Sequence, residues 1–379
     1  MNEAATTDTT VEAKVYDAVV VGGGAAGLSG ALALSRARRS VLVIDSRRPR
    51  NAPSDGVHVY LGREGTPPSE LMADGREEIR RYGAEVRTGE VVSAERDGSG
   101  FLVALADGTA VRARRLLVTT GLVDGLPQVP GVAELWGSDV LHCPYCHGWE
   151  VRDQRIGVLS TGPLAVHQAL LWRQWSDDVT LFLHTGPEPD DEQYEQLAAR
   201  GIAVVDGTVH ELVRADGRLA GVRLDSGRVF DIAALAVATR MNARAEWLTP
   251  LGLELAEQVV QGTVVGRHIP ADPLGKTAVP GVWAAGNVVE VSGQVMVAAA
   301  AGLRAGAAVN ADLIAEDTRA AVAERRAAAE PGPAPVGAEP ELAPVGAASA
   351  PPRGSYAPFS ARDEREVCER VGSAGRHRL

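Results

Sequence analysis

The stretch Tyr16-Asp-Ala-Val-Val-Val-Gly22-Gly23-Gly24-Ala25-Ala26-Gly27 decides the fold. Residues 16–21 read as a buried strand. Gly22-x-Gly24-x-x-Gly27 turns the chain, and residues 28–38 carry apolar side chains at helical spacing. Ser40-Val-Leu-Val-Ile-Asp45 is a second strand, so the unit is β-α-β and implies a parallel sheet. The three glycines serve different ends. Gly22 allows the tight turn, Gly24 lets the backbone approach a pyrophosphate, and Gly27 lets helix and strand pack closely. The residues after Gly24, Ala25 and Ala26, open a helix whose free N–H groups face the phosphates. Asp45 stands at a strand end, where a carboxylate accepts from a ribose hydroxyl. Strand, glycines, helix and acid together make a dinucleotide fingerprint. The bland alternatives are a glycine-rich turn in an α/β core and an exposed strand-end acid.

A similar pattern returns at residue 155. Ile156-Gly-Val-Leu159 is a strand, Ser160-Thr-Gly-Pro-Leu-Ala165 a turn, residues 166–175 a helix, and Val179-Thr-Leu-Phe-Leu183 the next strand. Between the two units, residues 101–121 alternate like hairpin strands, with turn signals at Asp97-Gly98 and Asp107-Gly108. The fold class expected is α/β, with two tandem Rossmann-like three-layer nucleotide-binding domains. Residues 1–14 are expected to be a flexible leader. From residue 318 the composition changes, and 318–379 is expected to be a disordered Pro/Ala-rich tail. The mixed Arg and Glu at 321–330 read as a solvated helix end, and Cys368 as a free thiol.

Composition narrows the function. A chain of 379 residues is long enough for roughly two to three domains. Its net charge of −11 argues against nucleic acid or an anionic membrane as the main partner. The richest apolar run, residues 295–309, is broken by Arg304 and falls short of the ~18 residues that span a bilayer. The polar, acidic N-terminus lacks a secretory pattern, so a cytoplasmic location is expected. Three cysteines make no disulfide framework, but two of them form Cys-x-x-Cys, which inside a cell reads as redox or metal chemistry.

That pair lies in Leu141-His142-Cys143-Pro144-Tyr145-Cys146-His147-Gly148-Trp149-Glu150. Thiols at this spacing close a disulfide, and their acidity is often raised. Zinc competes, because His142 and His147 flank the pair. A structural zinc site, however, usually has a second ligand pair nearby, and no further Cys pair exists. Either histidine is a candidate base or a satisfied polar residue. Trp149, Trp172, Trp175, Trp247 and Trp283 either line a substrate pocket or pack, and packing is the commoner role.

The fingerprint, the Cys-x-x-Cys and a late Ala285-Gly286-Asn287 before a small-residue helix resemble the low-molecular-weight thioredoxin reductase flavoproteins over about residues 15–317. The resemblance implies FAD on the first fingerprint, held in a discontinuous domain of residues 15–121 and 243–317. It implies an inserted NAD(P)-like redox domain at 122–242. Thr120 and Gly121 match a second FAD signature. Gly286 and Asn287 match a Gly-Asp pair whose acid bonds the ribityl chain. Gln294 and Val295 begin the helix facing the flavin, where a positive dipole end favours the reduced anion. A homodimer is implied as well.

Two departures point to one branch. His142-Cys-x-x-Cys-His147 is similar to the dithiol oxidase branch, whose members close disulfides in small natural products of the gliotoxin and holomycin type; the reductases carry Asp after the second cysteine. The segment around Arg50, Asn51 and His58 also resembles that branch. The second fingerprint, Ser160-x-Gly162-x-x-Ala165, departs from G-x-G-x-x-A and contains Pro163. After it, His184 takes the strand-end acid position, and Glu188, Asp190 and Asp191 stand where Arg would bind a 2′-phosphate. Nicotinamide binding is expected to be weak or absent. The expected function is dithiol oxidation through Cys143, Cys146 and FAD, with a small dithiol and oxygen as partners. The alternatives are an NAD(P)H-dependent reductase of a thioredoxin-like protein, a reductase fed by another donor such as ferredoxin, and a non-catalytic FAD-binding redox sensor.

Overall fold

The computed structural model describes residues 10–329. They fall in two compact units, residues 10–311 and 312–329. The first unit holds two nucleotide-type folds in series. The opening fold is a seven-stranded sheet. Its strands are β1 (Thr10–Val21), β2 (Val41–Asp45), β3 (Glu85–Thr88), β4 (Val91–Asp97), β5 (Gly100–Leu105) and β6 (Thr109–Val118), in the order β3-β2-β1-β6-β5-β4. The last strand, Val282–Ala284, pairs in parallel with β6. The run β3-β2-β1-β6 is parallel, and β6-β5-β4 turns back as hairpins. Helix α1 (Ala25–Arg36) follows β1 directly, and α2 (Pro68–Arg81) lies beyond β2. Leu116, Leu117 and Val118 on β6 are fully buried, each contributing roughly 2 kcal/mol.

The chain leaves through β7 (Leu122–Gly125) and returns through Arg240–Ala243, and the two crossings run as an antiparallel pair, Leu122↔Ala243 to Gly125↔Arg240. Between them lies an all-parallel five-stranded sheet. Its strands are β8 (Val140–Leu141), β9 (Ile156–Leu159), β10 (Val179–Phe182), β11 (Ala203–Val205) and Ala234–Val237. Helix α3 (Pro144–His147) follows β8, and α4 (Ala165–Trp172) and α5 (Asp191–Ala199) cover this sheet. A three-stranded antiparallel sheet, β12 (Val209–Ala215), β13 (Arg218–Leu224) and β14 (Val229–Phe230), closes its other face.

Both ends differ from the sequence expectation. Residues 10–14 are strand rather than loose leader, because Thr10 and Val11 pair with Thr109 and Ala110, while Glu12 and Lys14 make ion pairs to Arg87 and Glu85. The final helix α6 runs over Val295–Ala329, so 318–329 is helix and not tail, and the solvated helix end read at 321–330 is present as far as the described residues reach. Residues 318–329 are Ala, Arg and Glu with few exceptions, and no Gly or Pro interrupts them. Residues 330–379, with Cys368, lie outside the described residues. Helix α6 is also long and apolar enough to cross a membrane by length and composition, at a mean hydropathy of 1.3 over 18 residues. Its small residues have another use. A Cβ on Gly302 would lie 1.9 Å from the Ala26 carbonyl oxygen, and one on Gly306 2.6 Å from that of Gly30, so α6 packs backbone to backbone on α1.

Candidate active site

A cavity of about 1060 Å³ opens over the ends of β1 and β2 and reaches the cysteine pair. Gly22, Gly24, Ala25, Ala26, Asp45, Asn51, Thr120, Gly121, Gly286, Asn287, Gln294 and Val295 all line it, together with His142, Cys143, Cys146 and His147. Gly27 does not, and its geometry explains why glycine stands there: a Cβ would lie 1.9 Å from the Gly22 carbonyl oxygen. Gly22 has φ +106°, and its carbonyl accepts from the Thr119 hydroxyl at 2.8 Å. Gly24 has an ordinary extended backbone, and a Cβ there would project into open cavity.

These features fit FAD. The cradle above Gly24 is one that a side chain would fill. The N-terminus of α1 and the Asp45 carboxylate border the same space. Trp247, in the cavity wall, has a buried indole N–H with no acceptor among the described residues. Arg47, Arg48 and Arg76 add a basic rim that the sequence reading missed. Burial, with Arg47 close by, pushes the Arg76 guanidinium below its ordinary value. Asn287, besides lining the cavity, has a structural role. Its amide donates to the carbonyls of Glu290 at 3.0 Å and Gly293 at 2.7 Å, fixing the loop that precedes α6. An Asp there would turn those donors into acceptors facing carbonyls.

Cys143 occupies the N-cap position of α3, with Cys146 one turn on. The two thiol sulfurs stand 2.6 Å apart, within reach of closing a disulfide. Cys146, the N–H groups of Cys146 and Tyr145, and the Gln294 side chain all favour the Cys143 thiolate, bringing its pKa down to about 7. The Cys143 sulfur and burial push Cys146 well above the thiol range. The reduced protein should therefore alkylate selectively. With iodoacetamide, the rate at Cys143 should rise with pH and reach half its limit near pH 7, while Cys146 stays slow. A half-rate at about pH 8.5, the free-thiol value, would show that these donors do not act on the sulfur.

Both flanking histidines are half-buried, and burial pushes both imidazoles below their ordinary value. His142 Nδ1 lies 3.2 Å from the Val237 carbonyl oxygen, which only accepts, so Nδ1 holds the proton and Nε2 the lone pair. Beside it sits an ion pair that no local signal announces. Arg50 Nε and Nη2 donate to the buried Asp124 carboxylate at 2.6 and 2.7 Å, and the Thr239 hydroxyl donates to it at 2.7 Å. Asp124 is on β7 and Thr239 just precedes the returning strand, so Arg50 ties the flavin-side loop to both crossings. These donors hold the Asp124 carboxyl below its usual range although burial alone would raise it. Gly148 lets the end of α3 lie against the Trp175 ring. Trp172 and Trp283 are buried packing residues, Trp247 is buried in the cavity wall, and Trp149 is exposed and stacks on Arg152.

The second fold's fingerprint lies apart from this cavity, and at Gly162, the counterpart of Gly24, a Cβ would likewise meet open space. None of residues 160–165 lines the cavity. Backbone bonding aligns the two folds: Gly22 N–H donates to Ile44, and Ser160 N–H donates to Phe182. The counterpart of Asp45 is therefore the buried Leu183, not His184 as the sequence suggested. His184 instead has φ +44°, and its Nδ1 accepts from the Val209 N–H. The chain then folds back, and Gly186 N–H donates to the Ser160 carbonyl at 3.0 Å. A Cβ on Gly186 would lie 1.8 Å from the Ser160 hydroxyl. Pro163, the counterpart of Ala25, lacks an N–H, and α4 begins only at Ala165.

A dinucleotide cleft that ends on a Cys-x-x-Cys pair defines a flavin-dependent thiol–disulfide oxidoreductase. The family model described as pyridine nucleotide-disulphide oxidoreductase matches residues 16–302, and the chain belongs to that family, as an FAD-dependent enzyme of the thioredoxin reductase-like kind. It is 33% identical to thioredoxin reductase tcpT of Claviceps purpurea over 72% of this chain and 86% of that protein. It is 31% identical to thioredoxin reductase sirT of Leptosphaeria maculans, covering 81% and 97%. The crystal structure of HlmI is similar at TM-score 0.77 and 46% identity, covering 83% of this chain and 98% of that one.

Proposed function

We propose that this protein oxidises small dithiols to disulfides, with Cys143 and Cys146 as the redox pair and oxygen as the terminal acceptor. The observation that supports this reading most is the second fold's phosphate turn, where Gly186 lies on Ser160 and a proline replaces a donor. In the mechanism, a histidine beside the cysteines, His142 with its Nε2 lone pair or His147, takes the proton of one substrate thiol. The thiolate attacks Cys143 Sγ, the Cys143–Cys146 bond breaks, and Cys146 leaves. The second substrate sulfur then attacks the first, and Cys143 leaves as a thiolate held by the N–H groups of Tyr145 and Cys146 and by Gln294. The substrate loses two electrons and two protons, and the cysteine pair gains the two electrons. Stabilising the Cys143 thiolate stabilises the reduced pair, which makes the disulfide a stronger electron acceptor. Bound in the cleft, FAD supplies a two-electron acceptor that returns the pair to the disulfide.

The names of tcpT and sirT favour a second reading, an NADPH-dependent thioredoxin reductase. One experiment separates the two. Mixed with excess NADPH under nitrogen, the enzyme should keep its visible flavin band, and a small dithiol should then bleach it. Rapid bleaching by NADPH would overturn the oxidase.

A further inference from the structure

A third histidine is built into the wall of the same cavity, on a loop of the first fold. His58 lines the cavity with the two cysteines. Its Nδ1 lies 2.7 Å from Glu64 Oε1, and Glu64 Oε2 accepts from the Val59 N–H at 2.8 Å, so one carboxylate grips ring and backbone together. The loop closes tightly on this couple: Val57 N–H donates to Thr66 and Gly65 N–H to Val57, at 2.8 and 2.9 Å. Val59 has φ +57°. A β-branched residue in that region costs on the order of 1–3 kcal/mol, strain that collects where geometry serves function. A Cβ on Gly56 would lie 3.2 Å from His58 Nε2, so glycine keeps that side of the ring open. Nε2 itself stands 3.5 Å from Glu150, four residues beyond Cys146.

We infer that His58, oriented by Glu64, is a further catalytic residue, the acceptor of the proton from the substrate's second thiol. The inference rests on the proposed oxidase reading. Closing a disulfide releases two thiol protons, and the histidine beside the cysteines accounts for one. An ionised Glu64 fixes the proton of a neutral His58 on Nδ1 and leaves the lone pair on Nε2, the nitrogen on the Glu150 side, in the cavity that the cysteines also line. His58 holds that carboxylate below its usual range. In the second step the new bond joins the two substrate sulfurs. The bond between substrate and Cys143 breaks with its electron pair on Cys143, and the proton passes from the second thiol to His58 Nε2. The oxidant is the enzyme disulfide. The charged and titratable groups facing His58 are Glu64 on its own segment, and Glu150 and His147 on the cysteine segment.

The test uses full-length flavoprotein and dithiothreitol. Oxygen uptake is followed across pH, and quenched samples are weighed by mass spectrometry for dithiothreitol linked to Cys143. His58→Asn should lower turnover about 100-fold. It should also lose one limb of the pH profile and accumulate the mixed disulfide, with its visible spectrum unchanged. Glu64→Gln should lower turnover about 10-fold and shift the same limb. Turnover within twofold of wild type, with the same pH profile and no mixed disulfide, overturns the inference. If His58→Asn does not fold, an unshifted limb in Glu64→Gln overturns it. A wild-type enzyme bleached by NADPH but not by dithiothreitol overturns the oxidase reading and this inference with it.

Discussion

Replacing Cys143 by serine should reduce dithiol oxidation by at least about 1,000-fold while leaving the flavin in place. A hydroxyl neither forms the mixed disulfide nor leaves as a stabilised anion near neutral pH. The local backbone does not depend on the sulfur. Cys143 is the N-cap of a four-residue helix and makes no side-chain cap bond, and serine is a favoured residue at such a position. The dinucleotide cleft is built from the other sheet, so FAD content should match wild type. Oxygen uptake with dithiothreitol and the visible spectrum decide the matter together. More than a tenth of wild-type turnover in Cys143→Ser would mean that another group accepts the electrons.

Two glycines three positions apart should behave in opposite ways. Gly27→Ala places a methyl 1.9 Å from the Gly22 carbonyl oxygen and 2.7 Å from the Thr119 hydroxyl. The first neighbour is backbone, so β1 or α1 must shift. Overpacking of this kind costs about 1–3 kcal/mol or more, which at this chain length lowers Tm by roughly 5 °C. Gly24→Val meets no atom within 4 Å and keeps an extended backbone open to any residue. The fold should persist with an unchanged melting point for cofactor-free protein. FAD binding should weaken by roughly 100-fold, because the side chain occupies the approach to the pyrophosphate. Thermal melts of apoprotein and flavin titrations of both variants measure this. A Gly24→Val protein that binds FAD as wild type does would place the pyrophosphate elsewhere.

What was legible in the sequence was local. The first fingerprint is a strand, three glycines, a helix and an acid within 30 residues, and each part has a fixed physical role. The Cys-x-x-Cys is closer still, with four residues settling who meets whom. The rest of the site depends on partners far apart in the chain. Arg50 and Asp124 are 74 residues apart, and Thr239 a further 115 along, and nothing in any of the three segments signals the others. The His58–Glu64 couple is only six residues long, but it needs Val59 in a conformation that a β-branched residue rarely adopts. The substitution of Leu183 for His184 at the strand end came from a one-residue difference in where a strand stops. Only the backbone bond from Ser160 to Phe182 resolves that. The early start of β1 was hidden for a related reason: Thr10 to Lys14 carry no strand signal of their own until β6 and two ion pairs provide partners.

The contact of Gly186 on Ser160 has a consequence for direction. Enzymes of this architecture work as wires between two terminals, and either terminal can drive the current if a donor reaches it. On the proposed function, the folded-back chain insulates one terminal. The molecule then acts as a rectifier: current enters from thiols, and the reduced nicotinamide of the surrounding compartment does not push it back to reopen the finished disulfide. Rewiring it would take several linked changes, at Ser160, at Pro163 and along the 184–187 loop.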